Sequence, residues 1–187
     1  MGATGRAARP RRRFGGGPDG PTPGSAADAT PDADPESVAR GLVLRKLTVA
    51  PRSRAQLEAD LAAREVPEDI AERVLDRFTE VGLVDDTAFA EMWVRTRHAG
   101  RGLSRRALGH ELRTRGIDDE TVDSALDEIG PDEEAAAAAA LVARKLPATR
   151  GMPAEVRTRR LAGMLARKGY PGGLAMRVVR DALDAEV

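Results

Sequence analysis

The chain contains 187 residues, enough for one ordinary domain or for a short array of small helical units. Apolar residues make up 41% of the chain but aromatic residues only 3%, so Leu, Val and Ala must form the core, which favours packed helices over a β-sandwich or barrel. The lack of cysteine excludes disulfides, thiol catalysis and thiolate metal sites, and a net charge of zero provides no general attraction to nucleic acid.

The first 34 residues have the composition of a disordered tail. Residues 1–34 are rich in Gly, Pro, Ala, Arg and Asp, and Phe14 is the only large apolar residue after the initiator. Such a segment buries too little apolar surface to offset the entropy of ordering it. Its arginines and aspartates nearly balance, so we predict an inert extension.

Helical patterns then follow one another along the chain. Three helices are predicted in residues 35–84, where Pro51 ends the first, Ser53 caps the second and Pro67 suits the first turn of the third. The apolar positions of the first helix are Val38, Leu42 and Leu47.

Residues 85–130 contain signals for three more helices. Asp85 or Asp86 begins the fourth helix, and Ser104 caps the fifth, which Gly116 ends. Asp118 or Asp119 begins the sixth. Phe89 and Trp93 are spaced i and i+4 on the fourth helix, which favours a place for Trp93 in the core.

The last segment, residues 131–187, predicts a final set of three helices. One contains the alanine run that leads to Leu141 and Leu146, and two more lie around Leu161–Lys168 and Leu174–Leu183. No segment has the alternating pattern of a strand, so we predict an all-α fold.

The three segments are copies of one unit. Leucines and neighbouring apolar residues of the first segment recur 51 positions later, and again 53 positions beyond that, as in Leu57, Leu108 and Leu161. Units this small must stack on their neighbours, so we predict three tandem three-helix repeats in an elongated, curved array. The copies differ at one helix end, where Gly116 and Gly169 correspond to Glu65; that helix either ends differently or carries about 1 kcal/mol of strain.

No catalytic or metal-binding pattern is present. The two histidines, His98 and His110, have neither metal-ligand spacing nor a nucleophile motif beside them, and Gly100-Arg101-Gly102 lacks the rest of a phosphate-binding loop. The acids at positions 132–134 suit the positive end of a helix. We therefore expect no enzymatic activity and no cofactor.

Charge is strongly segregated along the chain. Seven arginines lie in Arg95–Arg115 with one acid, seven basic residues and no acid lie in Arg157–Arg180, and nine acids and no base lie in Asp118–Glu134. Such a surface can match a partner of mixed charge, as a protein–nucleic acid complex would be.

Several motifs occur in order through the second and third copies. They are Gly82-Leu83-Val84-Asp85-Asp86, Phe89-Ala90 with Trp93, Gly102-Leu103-Ser104-Arg105-Arg106-Ala107-Leu108, Glu111-Leu112, Arg115-Gly116-Ile117 and Leu161–Tyr170. Together they resemble the RecX family of regulatory proteins over residues 36–187. The tail lies outside the resemblance, and Glu65 departs from the Gly of the other two copies.

The resemblance implies a non-enzymatic protein that binds the RecA recombinase, chiefly as a filament on single-stranded DNA. It implies inhibition of RecA ATP hydrolysis, strand exchange and coprotease function in DNA repair and recombination. We expect a cytoplasmic monomer with no membrane span, and a weak direct contact to DNA stays open. As partner-binding or DNA-binding residues we predict eight arginines: Arg97, Arg101, Arg105, Arg106, Arg113, Arg159, Arg160 and Arg167.

Two other functions remain open from the sequence. A three-helix unit with a basic second helix also resembles a helix-turn-helix module that binds DNA directly. The zero net charge and the acidic third helices of the first two units argue against it. A general scaffold without a link to nucleic acid is the other alternative.

Overall fold

The computed structural model describes residues 34–186, and in this range the fold is built from nine α-helices and one 3-10 helix without a strand. The first repeat contains α1 (Pro35–Val49), α2 (Arg54–Ala62) and α3 (Glu68–Glu80), and the second contains α4 (Asp86–Arg101), α5 (Arg105–Arg113) and α6 (Asp119–Asp127). The third contains α7 (Pro131–Lys145), the 3-10 helix (Leu146–Thr149), α8 (Ala154–Arg167) and α9 (Gly172–Asp184). The all-α prediction is confirmed. The predicted tail lies outside the described residues, apart from Asp34.

Each repeat has an apolar core of its own. The paired leucines of the second helix in each repeat are buried, with exposed fractions of 2% or less: Leu57 and Leu61, Leu108 and Leu112, Leu161 and Leu165. Around each pair, side chains of the other two helices of the same repeat complete a separate cluster. The equivalence of these positions confirms the three copies. Their exact limits, and the elongated and curved arrangement, stay predictions.

The helix starts follow the capping signals in the sequence. The side chains of Ser53, Asp85, Ser104 and Asp118 each accept a hydrogen bond from a backbone N–H of the first turn that follows. Asp85 rather than Asp86, and Asp118 rather than Asp119, therefore serve as the caps. These bonds satisfy donors that a helix leaves unpaired at its start.

Some helix details differ from the predictions. Val38 is 44% exposed, because α1 turns Ala39, Leu42 and Val43 toward the core instead. The eighth helix begins at Ala154 rather than near Leu161. Its first two turns are polar and point largely outward, so apolar spacing could not reveal them. Pro67 lies just before α3 as its N-cap and not in its first turn.

The second helix of each repeat ends in the same backbone conformation, although the first repeat has Glu65 where the other two have glycine. Glu65 has φ of 58°, and Gly116 and Gly169 have φ of 77° and 90°, so all three helices end in the left-handed conformation. A side chain on Gly116 would place its Cβ 2.3 Å from the Cβ of Ala55 in the preceding repeat. Glu65 is exposed, so its side chain extends into solvent and it bears the strain of its backbone, about 1 kcal/mol.

Equivalent hydrogen bonds join successive repeats. At the first junction the Ser53 hydroxyl donates to the Arg115 carbonyl (2.6 Å), and the Arg54 backbone N–H donates to Asp86 Oδ1 (2.8 Å). At the second junction the Ser104 backbone N–H donates to the Lys168 carbonyl (3.0 Å), and the Arg105 backbone N–H donates to Glu134 Oε1 (2.9 Å). The starts of α2 and α5 therefore hold the repeat that follows them through the same two points.

Candidate partner-binding surfaces

The single tryptophan lies at the edge of the second core. Trp93 on α4 is half-buried and packs against the core without being enclosed by it. Its ring stacks on Phe89 with centroids 5.7 Å apart and planes 24° apart, and its Nε1 donates to Glu111 Oε2 at 2.8 Å. The ring is thus fixed in orientation by both an aromatic contact and a hydrogen bond.

Two guanidinium groups lie over the Trp93 ring. The Arg97 and Arg115 carbons Cζ are 4.1 Å and 3.7 Å from the ring centroid, within the range of a cation–π interaction. Burial lowers the pKa of Arg115, the carboxylate of Glu111 opposes this shift, and the positive charge of Arg97 adds to it. Arginine stays charged at neutral pH regardless. Arg115 was not among the predicted site residues, because its role depends on α5 and α4 meeting at this edge.

A cleft of about 430 Å³, which we call the Trp93 groove, opens beside this cluster. The residues that line it come from the loop between α1 and α2 and from α4: Ala50, Pro51, Phe89, Met92, Trp93, Thr96, Arg97, Gly100 and Arg101. Arg101 is exposed and forms no ion pair among the described residues. The groove therefore brings two of the predicted arginines, Arg97 and Arg101, next to an apolar surface that spacing alone did not reveal.

Three of the predicted arginines are engaged in contacts within the protein. Arg105 donates to the Ile129 carbonyl and to Asp127 (3.2 Å), and so closes the end of α6. Arg106 Nε donates to the Gly169 carbonyl at 3.1 Å, across the second junction. Arg113 forms ion pairs with α6.

Arg113 pairs with two carboxylates of the acidic segment. Its Nε lies 2.6 Å from Asp119 Oδ1, and its Nη2 lies 3.4 Å from Asp123 Oδ1. The hydrogen bond to Asp119 raises the pKa of the guanidinium. Arg106 and Arg113, although both lie on α5, are therefore directed to different neighbours.

The third repeat has a cleft of about 210 Å³ with cations but no acid in its lining. Lys145 of α7 and Arg160 and Arg167 of α8 line it, together with Thr149 and the apolar Ala148, Leu161 and Met164. Arg160 donates to the Met152 sulfur (3.6 Å) and forms no ion pair with a described acid, and Arg159 is exposed. We call this the third-repeat basic cleft. Lys145 was missed because it belongs to another helix and lies outside the basic run in the sequence.

Two other kinds of feature are absent from residues 34–186. No group of three or more His, Asp or Glu side chains there is arranged to hold a metal ion. None of the helices there combines the length and the apolar composition needed to cross a bilayer.

Comparison with known families covers most of residues 34–186. Models of the RecX first, second and third three-helix domains match residues 39–78, 85–126 and 132–179, in that order. The chain belongs to the RecX family. The resemblance noted in the sequence is thereby confirmed, together with the three-helix repeat architecture.

Curated RecX proteins are similar over almost their full length. The protein named Regulatory protein RecX from Thermobifida fusca is 58% identical over 174 residues, which cover 93% of this chain and 92% of the relative. Regulatory protein RecX from Streptomyces coelicolor is 54% identical over 89% of each chain. The protein of the same name from Mycolicibacterium smegmatis is 48% identical over 88% of this chain and 91% of its own.

Two solved structures share the RecX fold. The crystal structure of RecX from Lactobacillus salivarius superposes with a TM-score of 0.72 at 19% identity, and covers 80% of this chain and 97% of its own. A crystal structure described as regulatory protein RecX gives 0.69 at 25% identity, over 80% of this chain and 73% of its own. Within the RecX architecture, the Trp93 groove lies where the first two domains meet and the basic cleft lies in the third.

Proposed function

We propose that this RecX family member is a non-catalytic regulator that binds the RecA recombinase as a filament on single-stranded DNA. We infer that it inhibits RecA ATP hydrolysis, strand exchange and coprotease function in DNA repair and recombination, acting as a cytoplasmic monomer without a cofactor. The observation that carries this proposal is the ordered match of all three RecX domains over residues 39–179. The name Regulatory protein RecX, borne by relatives of similar length, supports it.

The eight predicted arginines are proposed contacts, and they divide into two groups. Three already serve contacts within the protein: Arg105, Arg106 and Arg113. The other five form no ion pair among the described residues: Arg97, Arg101, Arg159, Arg160 and Arg167. A cation without an internal carboxylate partner can bind an external anion without breaking an existing ion pair, so the second group is favoured for the interface.

The segregation of charge suits a partner that carries both signs. The Trp93 groove and the third-repeat basic cleft would face DNA phosphates or acidic protein surface. The acids of Asp118–Glu134 would face basic protein surface. An array of three repeats that lies along a helical filament would contact more than one RecA protomer. Inhibition would then follow from steric occupation of the filament or from capping of its growing end.

The test is ATP hydrolysis by the cognate RecA on single-stranded DNA, with this protein titrated in. We expect inhibition well below one copy per RecA, which favours capping over coating of the filament. Binding to the same DNA without RecA is measured alongside. Full RecA activity at a molar excess of this protein would contradict the proposal.

A direct DNA-binding function is the second candidate, and the third-repeat basic cleft favours it. Lys145, Arg160 and Arg167 converge there with no carboxylate in the lining, an arrangement suited to a phosphate group. This function requires tight DNA binding without RecA, with an affinity that falls steeply as salt rises. Weak binding without RecA, together with inhibition of RecA, would exclude it as the main activity.

A further inference from the structure

The Trp93 groove continues into a second cleft along the boundary of the first two repeats. The second cleft, of about 270 Å³, shares Pro51, Phe89 and Met92 with the Trp93 groove. It adds the residues Leu47, Arg52, Gly82, Leu83, Asp85 and Ala88. We call the two clefts together the extended groove. Its floor is a continuous apolar strip, and Leu83 on it is 54% exposed.

The charged residues around the extended groove are almost all positive. Arg52, Arg97 and Arg101 line it, and none of them forms an ion pair with the described acids. The one carboxylate in the lining, Asp85, accepts the backbone N–H of Ala88 at 2.9 Å as the cap of α4. An apolar strip between unneutralised cations complements a ligand that has apolar side chains flanked by carboxylates.

We propose that the extended groove binds a short, acidic, amphipathic segment of a partner protein. Large apolar side chains of that segment lie on Met92 and Leu83, and its carboxylates pair with the surrounding arginines. A protein segment is favoured over nucleic acid by the state of Trp93. Its ring already carries two guanidinium groups and stacks on Phe89, so it is not a free platform for a base.

The groove contains its own reporter. Trp93 is the only tryptophan of the chain, so its fluorescence changes when a ligand occupies the site. The probe is a synthetic 18-residue amphipathic helical peptide with Leu at helix spacing on one face, Glu on the other, and no aromatic residue. Two control peptides replace either all Glu by Lys or all Leu by Ala. We expect saturable binding of the full-length chain to the first peptide only.

Paired variants locate the binding. Leu83→Asp and Arg101→Glu are each expected to weaken peptide binding about tenfold. Their matched controls are Val81→Asp, which alters a side chain of nearly equal exposure (52%) outside the groove, and Arg95→Glu, which makes the same charge change on the same helix. The controls should retain the affinity of the unaltered chain, and circular dichroism should give the same melting temperature for all four variants.

Three outcomes would overturn the inference. They are equal binding of the Lys peptide, equal losses in the groove and control variants, and a Trp93 response to single-stranded DNA in place of the peptide. The inference rests on the proposed function only for the existence of a protein partner. Because the peptide experiment contains no RecA, lost peptide binding with intact RecA inhibition would refute the groove alone. Peptide binding without RecA inhibition would refute the proposed function alone.

Discussion

Arginines from one stretch of sequence differ in their contacts because their neighbours differ. Arg101 is exposed on the wall of the Trp93 groove without a carboxylate partner, whereas Arg105, four positions later, donates to the Ile129 carbonyl and Asp127. A cation at the end of a helix satisfies carbonyl groups that have no partner in the helix itself. The first arginine is available to a ligand, and the second stabilises the second repeat.

Substitution of Arg105 and of Arg101 should change the free energy of unfolding by different amounts. We expect Arg105→Ala to lower the free energy of unfolding by about 1–2 kcal/mol, since it leaves the end of α6 without its side-chain donor. Arg101→Ala should change it by no more than about 0.5 kcal/mol. Urea unfolding followed by circular dichroism measures both. Equal stability of the two variants would contradict the structural role of Arg105.

Burial of Tyr170 makes the stability of the fold decrease at alkaline pH. Its side chain is 2% exposed and its hydroxyl has no hydrogen-bond partner among the described residues. Burial, helped by the negative charge of Glu134, raises the pKa of Tyr170 to about 12 from its ordinary value of 10.0. The folded state keeps the phenol proton to higher pH than the unfolded chain does. The resulting stabilisation is complete below about pH 10 and is lost as the pH rises toward 12.

Tyr170→Phe tests this account. Removal of an unpaired buried hydroxyl should leave stability at neutral pH unchanged or raise it by up to about 1 kcal/mol. Unfolding measured from about pH 9 to pH 11 should then show a smaller alkaline loss for the variant than for the unaltered chain. Parallel losses in the two proteins would assign the pH dependence to other groups.

At the scale of the helices, the repeat junctions explain the glycines. Gly116 and Gly82 both have left-handed backbone, with φ of 77° and 72°. No atom lies within 4 Å of a Cβ built on Gly82, whereas one built on Gly116 meets Ala55 at 2.3 Å. The left-handed backbone alone favours glycine at position 82. At position 116 the close approach of Ala55 from the neighbouring repeat adds a second, steric reason for glycine.

The two glycines form a matched pair of sites. Gly82→Ala should cost about 1 kcal/mol of stability from backbone strain alone, and Gly116→Ala about 3 kcal/mol, since the overlap with Ala55 is added. In the background of Gly116→Ala, a second change of Ala55→Gly should recover part of the loss. Thermal unfolding of the single and double variants gives the coupling energy. Additive effects would mean that the junction relaxes without cost.

At the scale of the whole molecule, the basic side chains that form no ion pair among the described residues are concentrated in the third repeat. In the first repeat most basic side chains pair with acids of the same repeat, as Arg73 does with Asp69 at 2.9 Å. In the third repeat the ion pairs among described residues involve Glu186 alone, with Arg150 and Arg157. The third repeat therefore presents most of its positive charge to the outside.

A charge-matched pair of triple variants separates location from net charge. Arg101→Glu, Arg160→Glu and Arg167→Glu together should weaken RecA filament binding at least about tenfold, because they reverse charge in both clefts. The control is Arg45→Glu, Arg64→Glu and Arg95→Glu, which reverses three exposed arginines without ion pairs among the described residues. The melting temperatures of the two variants should agree. Equal weakening by both would indicate that only net charge matters.

The amino-acid sequence by itself determined the helices, their caps and the threefold repeat. These features depend on local signals: apolar spacing, a Ser or Asp cap before α2, α4, α5 and α6, and leucines that recur at intervals of 51 and 53 positions. It also identified eight arginines by their clustering. It did not distinguish Arg101 from Arg105, because charge clustering contains no information on the partner of each side chain.

Only the tertiary structure decided where those side chains go. The groove beside Trp93 exists because the segment around Pro51 and helix α4 come from different repeats and meet at their boundary. Gly116 is required because Ala55, 61 positions earlier in the chain, lies against it. Contacts between residues so distant in sequence depend on how the repeats stack, and local patterns along the chain carry no record of that stacking.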